Sequence, residues 1–301
     1  MSADLQRFIR GPFACLMRGA MAVLLVLVLA RLVLEVAGVP QGIARYVSST
    51  VGLLFVAIFL AAVGPLRGGL RKFTQLLLPA LILAAWTEAW VILATIVSAV
   101  LRLSKSHFAE PEDYDNWGHL GKHVFAHVMA IGVMFLVVLL LMTVVQMLWR
   151  WPITVAPGAM LGVFVIMRFW TEAMGLPPLR TAAWSSTILV LLSAFYLGGV
   201  AGQLGLTRGR QLLVPSLVLG WAWRLWAYLA TLFAAAIPFF KTHFFDPAPG
   251  HIPARLLQAL AGTVIEGFIA GLLVWGIAAW FARATRPVGG SALAGNSGED
   301  A

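Results

Sequence analysis

Met21-Ala-Val-Leu-Leu-Val-Leu-Val-Leu-Ala-Arg31-Leu-Val-Leu-Glu35-Val-Ala-Gly38-Val-Pro40 holds most of what decides the fold. Its apolar residues run on long enough to cross a hydrocarbon core as a helix. Two charges, Arg31 and Glu35, interrupt it four residues apart, which puts them on one face of one helix. The same punctuation returns 137 residues later as Arg168-Phe-Trp-Thr-Glu172-Ala-Met-Gly175-Leu-Pro177.

Other matches keep this interval or one residue less. Ser48-Ser49-Thr50 recurs at Ser185-Ser186-Thr187, Gln75-Leu-Leu-x-Pro79 at Gln211-Leu-Leu-x-Pro215, and Trp90 at Trp226. Lys105-Ser-His-Phe-Ala-Glu-Pro111 recurs as Lys241-Thr-His-Phe-Phe-Asp-Pro247, each followed by a Gly-His pair, Gly118-His119 and Gly250-His251. Polar matches are rare by chance in sequence this apolar, so one ancestral unit is read as present twice.

Composition sets the solvent. Hydrophobic residues make up 61% of the 301, charged residues only 11%, and mean hydropathy is +0.91, which excludes an ordinary soluble domain. Eight apolar stretches are expected to cross a membrane as helices: 13–37, 51–66, 74–101, 124–148, 153–174, 183–204, 211–238 and 256–281. They lack the two-residue alternation of a barrel wall. The expected fold is therefore all-α and polytopic, with about eight transmembrane helices in two parallel four-helix repeats. The expected parts are a cytoplasmic segment 1–12, repeat 1 over 13–150, repeat 2 over 153–284, and a disordered cytoplasmic tail 285–301. Four spans is an even number, so the second copy enters the membrane in the same direction as the first.

The first span keeps Arg18, Arg31 and Glu35 and shows no cleavage site, so it is expected to remain as a helix. Single Cys15 excludes an intramolecular disulfide framework. The net charge of +9 comes from dispersed residues that mostly flank spans, which fits lipid headgroups and topology and not nucleic acid. Lys and Arg are more numerous in the segments that are inside when the N-terminus is inside. A multi-pass inner-membrane protein with both termini cytoplasmic is expected.

Seven ionisable residues fall well inside spans: Arg31, Glu35, Glu88, Arg168, Glu172, Arg224 and Glu266. Each unpaired charge at mid-span costs roughly 2.5–3.5 kcal/mol, so all seven require partners or water. Arg31 with Glu35, and Arg168 with Glu172, can pair within their own helices. Glu88 aligns with Arg224 across the repeat, which suggests a salt bridge between the copies. Glu266 has no apparent partner, which makes it, with Glu88, the expected proton-coupling residue. Arg31, Glu35, Glu88, Arg168, Glu172 and Arg224 are expected to line a substrate cavity. Trp86 and Trp90 flank Glu88, and Trp221, Trp223 and Trp226 flank Arg224.

All six histidines lie in or beside the two long loops: His107, His119, His123, His127, His243 and His251. Two-histidine-one-carboxylate sets can be written for each unit, His107, Glu110 and His119, then His243, Asp246 and His251. The competing use of these side chains is to cap helix ends and hold the loops, or to sense external pH. His119, His123 and His127 form one stripe entering the fourth span. Haem does not fit, because the second unit has no histidine inside a span. No cofactor is implied, and no placed nucleophile and base suggest an enzyme.

The function expected from these residues is inner-membrane transport of a polar or anionic solute, a lipid headgroup included, with proton coupling. The alternative is a non-transporting scaffold or assembly subunit whose ion pairs are structural. Its outer loops would bind a membrane or periplasmic protein, the other expected partner being membrane lipid.

Overall fold

The computed structural model describes residues 11–206, 208–236, 242–245 and 251–285. Among them eight helices are long and apolar enough to cross a membrane. Their α-helical parts are α1 Pro12–Val36, α2 Ser49–Val63, α3 Thr74–Val100, α4 Trp117–Leu148, α5 Val155–Ala173, α6 Ser186–Ala201, α7 Leu213–Ala236 and α8 Ile252–Ala284. Adjoining short turns extend the second, fifth, sixth and seventh spans to Gln41–Arg67, Pro152–Ala173, Ala182–Ala201 and Gly209–Ala236. No strand forms among the described residues beyond one isolated bridge between Thr242 and Phe245. The chain is thus an all-helical, multi-pass membrane protein. The N-terminal segment up to residue 10 and the tail from residue 286 lie outside the described residues.

Local chemistry explains the helix ends. Pro12 opens α1 at a position where its missing N–H costs nothing. Gly38, at φ +85°, closes it: the Gly38 N–H donates to the Glu35 carbonyl (2.9 Å) and the Val39 N–H to the Leu34 carbonyl (3.0 Å). This is a Schellman turn, which needs the left-handed conformation that glycine adopts freely. α5 ends the same way, with Gly175 at φ +82°, Gly175 N–H on the Glu172 carbonyl (2.8 Å) and Leu176 N–H on the Thr171 carbonyl (3.1 Å). The Ser48 hydroxyl caps α2 by accepting from the Val51 amide. Before α3, Gln75 Oε1 accepts the Lys72 amide (3.1 Å); before α7, Gln211 Oε1 accepts the Arg208 amide (2.9 Å).

Three spans differ from the sequence expectation, the eighth by running over Ile252–Ala284 where 256–281 was expected. The second is lengthened by a helical turn at Gln41–Ala44 before α2 and a 3-10 turn at Gly64–Arg67 after it. The fourth starts at Trp117, not 124, because Asn116 accepts the Gly118 and His119 amides (both 3.0 Å) and nucleates the helix early. At 32 residues α4 is about 48 Å long, against ~30 Å of hydrocarbon. Its extra first turns carry His119 and His123, and His127 follows one turn deeper.

The described chain forms two compact units that divide between Arg150 and Trp151. In the first, α1 packs on α2 and α3, α2 on α3 and α4, and α3 on α4. In the second, α5 packs on α6 and α7, α6 on α7 and α8, and α7 on α8, the same scheme one helix at a time. Small residues allow the closest approach. A Cβ added to Gly220 of α7 would run into the backbone of Gly267 and Gly271 on α8. Outward faces are apolar as well, with Val26, Phe125, Val133, Leu136, Ile265 and Leu273 all exposed. Lipid is the solvent that accepts helices of this kind.

Candidate functional site

Glu35 ends α1 as a fully buried carboxylate. A charge there survives only if its oxygens are taken up by N–H donors. The Arg31 Nε–H donates to Oε1 at 3.2 Å, one turn back on the same helix. The backbone N–H of His107 donates to Oε2 at 2.9 Å, and the His107 ring meets the same oxygen through Nδ1 at 2.7 Å. A carboxylate only accepts, so Nδ1 carries the hydrogen. The His107 ring also packs on Phe108 with centroids 4.1 Å apart. Lys105 places its ammonium over the end of α1, 3.0 Å from where a Gly38 Cβ would lie. That is the favourable site for a cation on the helix dipole.

The second unit builds the same cluster from its own residues. Arg168 Nε–H donates to Glu172 Oε1 (3.1 Å), and the His243 amide (2.8 Å) and Nδ1 (2.5 Å) both meet Oε2. His243 packs on Phe244 at 3.9 Å between centroids. One donor is added: the Thr181 hydroxyl reaches Glu172 Oε1 at 3.1 Å, where the equivalent place in the first unit is Ala44. These two clusters pin each loop onto the end of a membrane helix.

A second set of acids meets the histidine stripe of α4. Asp113 is buried in the 3-10 turn Pro111–Tyr114, and its two oxygens meet His119 Nδ1 (2.7 Å) and His123 Nδ1 (2.8 Å). Burial alone would raise the Asp113 carboxyl. Hydrogen bonds from His123, His119 and the Glu110 amide outweigh it and hold the group below its ordinary value. One turn deeper, His127 stacks on His123 with centroids 5.4 Å apart, and its Nδ1 meets Glu88 Oε2 of α3 at 2.9 Å. Glu88 lies near the middle of α3 with its side chain 10% exposed. His107 belongs to the same neighbourhood. Burial is the largest influence lowering its pKa; the charges of Arg31 and His127 lower it further, while Glu35 opposes them.

At the place equivalent to Glu88 the second unit has Arg224. Its Nη2 meets Glu266 Oε2 of α8 at 2.8 Å, and its guanidinium lies 5.4 Å from the Trp223 ring centroid. The Arg224 Nε hydrogen is buried with no acceptor. Indole N–H groups brace both units at matched carbonyls: Trp86 donates to Met21 (2.9 Å) and Trp226 to Gly158 (2.9 Å).

Several expectations from the sequence require correction. Glu88 and Arg224 do not depend on one another for a partner, since His127 and Glu266 supply these within each unit. Glu266 is thus a paired acid. The first metal set, His107, Glu110 and His119, does not come together. Among the described residues no group of three or more His, Cys, Asp or Glu is placed to hold a metal ion. His107 turns to Glu35, and His119 to Asp113. Glu110 stands extended before Pro111 and accepts from the Asp113 amide as a cap. Asp246 lies outside the described residues, and His251 is exposed at the start of α8. Sequence reasoning left Asp113, His123 and His127 out of the site. Their signal was the i, i+4, i+8 spacing of three histidines beside a short acidic turn.

The fold and these clusters define a multi-pass helical membrane protein with paired acids inside its spans. Comparison with known protein families, curated proteins and solved structures finds no match.

Proposed function

We propose that this protein is a proton-coupled inner-membrane transporter for a small polar or anionic solute. In this proposal the two units are copies of one ancestral four-helix unit, parallel in the membrane, with both termini cytoplasmic. The equal packing scheme and the paired Arg–Glu–His clusters support the duplication. The positive-inside bias and the even number of spans support the orientation.

One observation carries the proposal of transport. Glu35 and Glu172 are clamped by arginine, whose charge is permanent, whereas Glu88 is held by histidine, the side chain that changes charge between about pH 5 and 8. A mid-span acid with a titratable partner can gain and lose its charge during a cycle; an arginine-clamped acid is built to stay ionised. Arg224, at the equivalent place, keeps a fixed positive charge for an anionic group, with Glu266 as its counter-ion at rest. Arg31, Glu35, Arg168 and Glu172 then serve as the frame that holds the loops.

The test uses purified protein in proteoliposomes on a solid-supported membrane, with concentration jumps of amino acids, carboxylates, sugars and inorganic phosphate under a pH gradient. Glu88→Gln should abolish the coupled current of whichever solute responds in protein that still inserts and folds, with a stability loss of only ~1–2 kcal/mol. A scaffold is the second reading, favoured by the fact that each of these charges finds its partner within its own unit. It predicts no current from any solute and a Glu88→Gln variant that only lowers abundance.

A further inference from the structure

From the histidine stripe we infer that α4 carries a proton relay, through which Glu88 exchanges protons with the solution at the histidine end of the first unit. This inference deepens the proposed transport by naming the route of the coupling proton, and it rests on that proposal for its purpose.

The relay is built from groups whose spacing follows from one helix and one turn. His119, His123 and His127 recur every four residues, so their rings lie along one face, about 6 Å apart per step. Each ring meets a carboxylate through Nδ1: Asp113 for the first two and Glu88 for the third. With Nδ1 donating, Nε2 is left as the basic position on every ring, and the carboxylate behind it stabilises the imidazolium once a proton arrives. Exposure falls along the row, from 37% for the His119 side chain to 23% and 26% for His123 and His127, and then to 10% for Glu88. The row therefore leads from the exposed turn before α4 to a mid-span acid.

The transfer balances without any other reactant. A proton taken up at His127 Nε2 makes the imidazolium. The Nδ1 proton then crosses the 2.9 Å bond to Glu88 Oε2, leaving a neutral carboxyl and a neutral ring with its hydrogen on Nε2. Return of a proton by the same path restores the starting tautomer. The proton reaches His127 from His123, whose stacked ring has its centroid 5.4 Å away, a separation that transfer through one water would bridge. Other charged groups surround the row. Glu110 and Glu112 act on His119 from the turn, and His107, with Arg31 and Glu35 behind it, acts on His127 from the loop and α1. The acids at the mouth favour a proton on His119. Among its described residues the second unit has no comparable row, since Arg224 occupies the place of Glu88 and its partner is Glu266.

The experiment follows Glu88 itself and needs no solute. In full-length protein reconstituted into nanodiscs, time-resolved infrared difference spectroscopy after an acid jump reports the Glu88 carboxyl band, assigned by its loss in Glu88→Gln. His123→Asn keeps a hydrogen-bond donor for Asp113 but cannot carry a proton. It should slow the rise of the band by on the order of 10²-fold. An unchanged rate in this variant overturns the relay. If His123→Asn does not fold, His127→Gln is compared in the same way, with the same two outcomes. A slowed band in protein that moves no solute would sink transport and leave the relay standing; solute uptake with an unslowed band would do the reverse.

Discussion

Replacing Glu35 by glutamine keeps the shape of the side chain and removes its charge, so it isolates what the carboxylate does at the end of α1. In the native cluster Oε1 accepts from Arg31 and Oε2 accepts twice from His107. A glutamine offers one carbonyl and one NH₂. Whichever way it turns, either the Arg31 donor or both His107 donors face another donor. Arg31 is only 17% exposed and would keep a positive charge without a counter-ion. Breaking a buried pair by removing one partner costs about 3–5 kcal/mol. Glu35→Gln should therefore lower stability by about that amount. Glu88→Gln removes a single histidine contact and should cost only ~1–2 kcal/mol. Reversible unfolding in mixed micelles, followed by tryptophan fluorescence, measures both. A Glu35→Gln variant within about 1 kcal/mol of wild type, or less damaged than Glu88→Gln, would refute the assignment of Glu35 as anchor and Glu88 as working acid.

Two further outcomes are expected. Asp113 and His107 both have folded-state pKa values below their ordinary ones, 3.8 and 6.5. Between the ordinary and the folded values the unfolded chain binds more protons, so stability rises with pH in both windows and is lost as pH falls through them. Acid titration of unfolding should show a step below pH 6.5 that disappears in His107→Asn and one below pH 3.8 that disappears in Asp113→Asn. In α7, Gly220→Val should separate α7 from α8 and cost about 3 kcal/mol or more, because the new side chain meets backbone and not a yielding side chain. Thermal denaturation read from Trp221, whose indole donates to the Val264 carbonyl of α8 at 3.1 Å, would register it.

The sequence made plain whatever depends on neighbours in the chain. Hydrocarbon length predicted the eight spans, and helical periodicity paired Arg31 with Glu35 and Arg168 with Glu172. Partners on different helices were beyond reach, because periodicity gives a face and not what stands opposite it. His107 was offered to Glu110 three residues away, while the structure uses Glu35, 72 residues away. The difference lies in Pro111, which holds Glu110 extended and turns it toward its own amides. Glu88 and Arg224 looked like mates because opposite charges occupied matched places, yet each had a partner on the next helix of its own unit. Asp113 was hidden among acids that count little in topology, although it is buried.

Each Arg–Glu–His cluster closes a loop onto a helix with parts that lie at most 76 residues apart, Arg31 to His107 in one case and Arg168 to His243 in the other. A gene fragment ending at Arg150 would still encode every atom of the first fastening, and the remainder would encode its twin. Neither half borrows a screw from the other: each stretch of chain carries what it needs to shut its own lid.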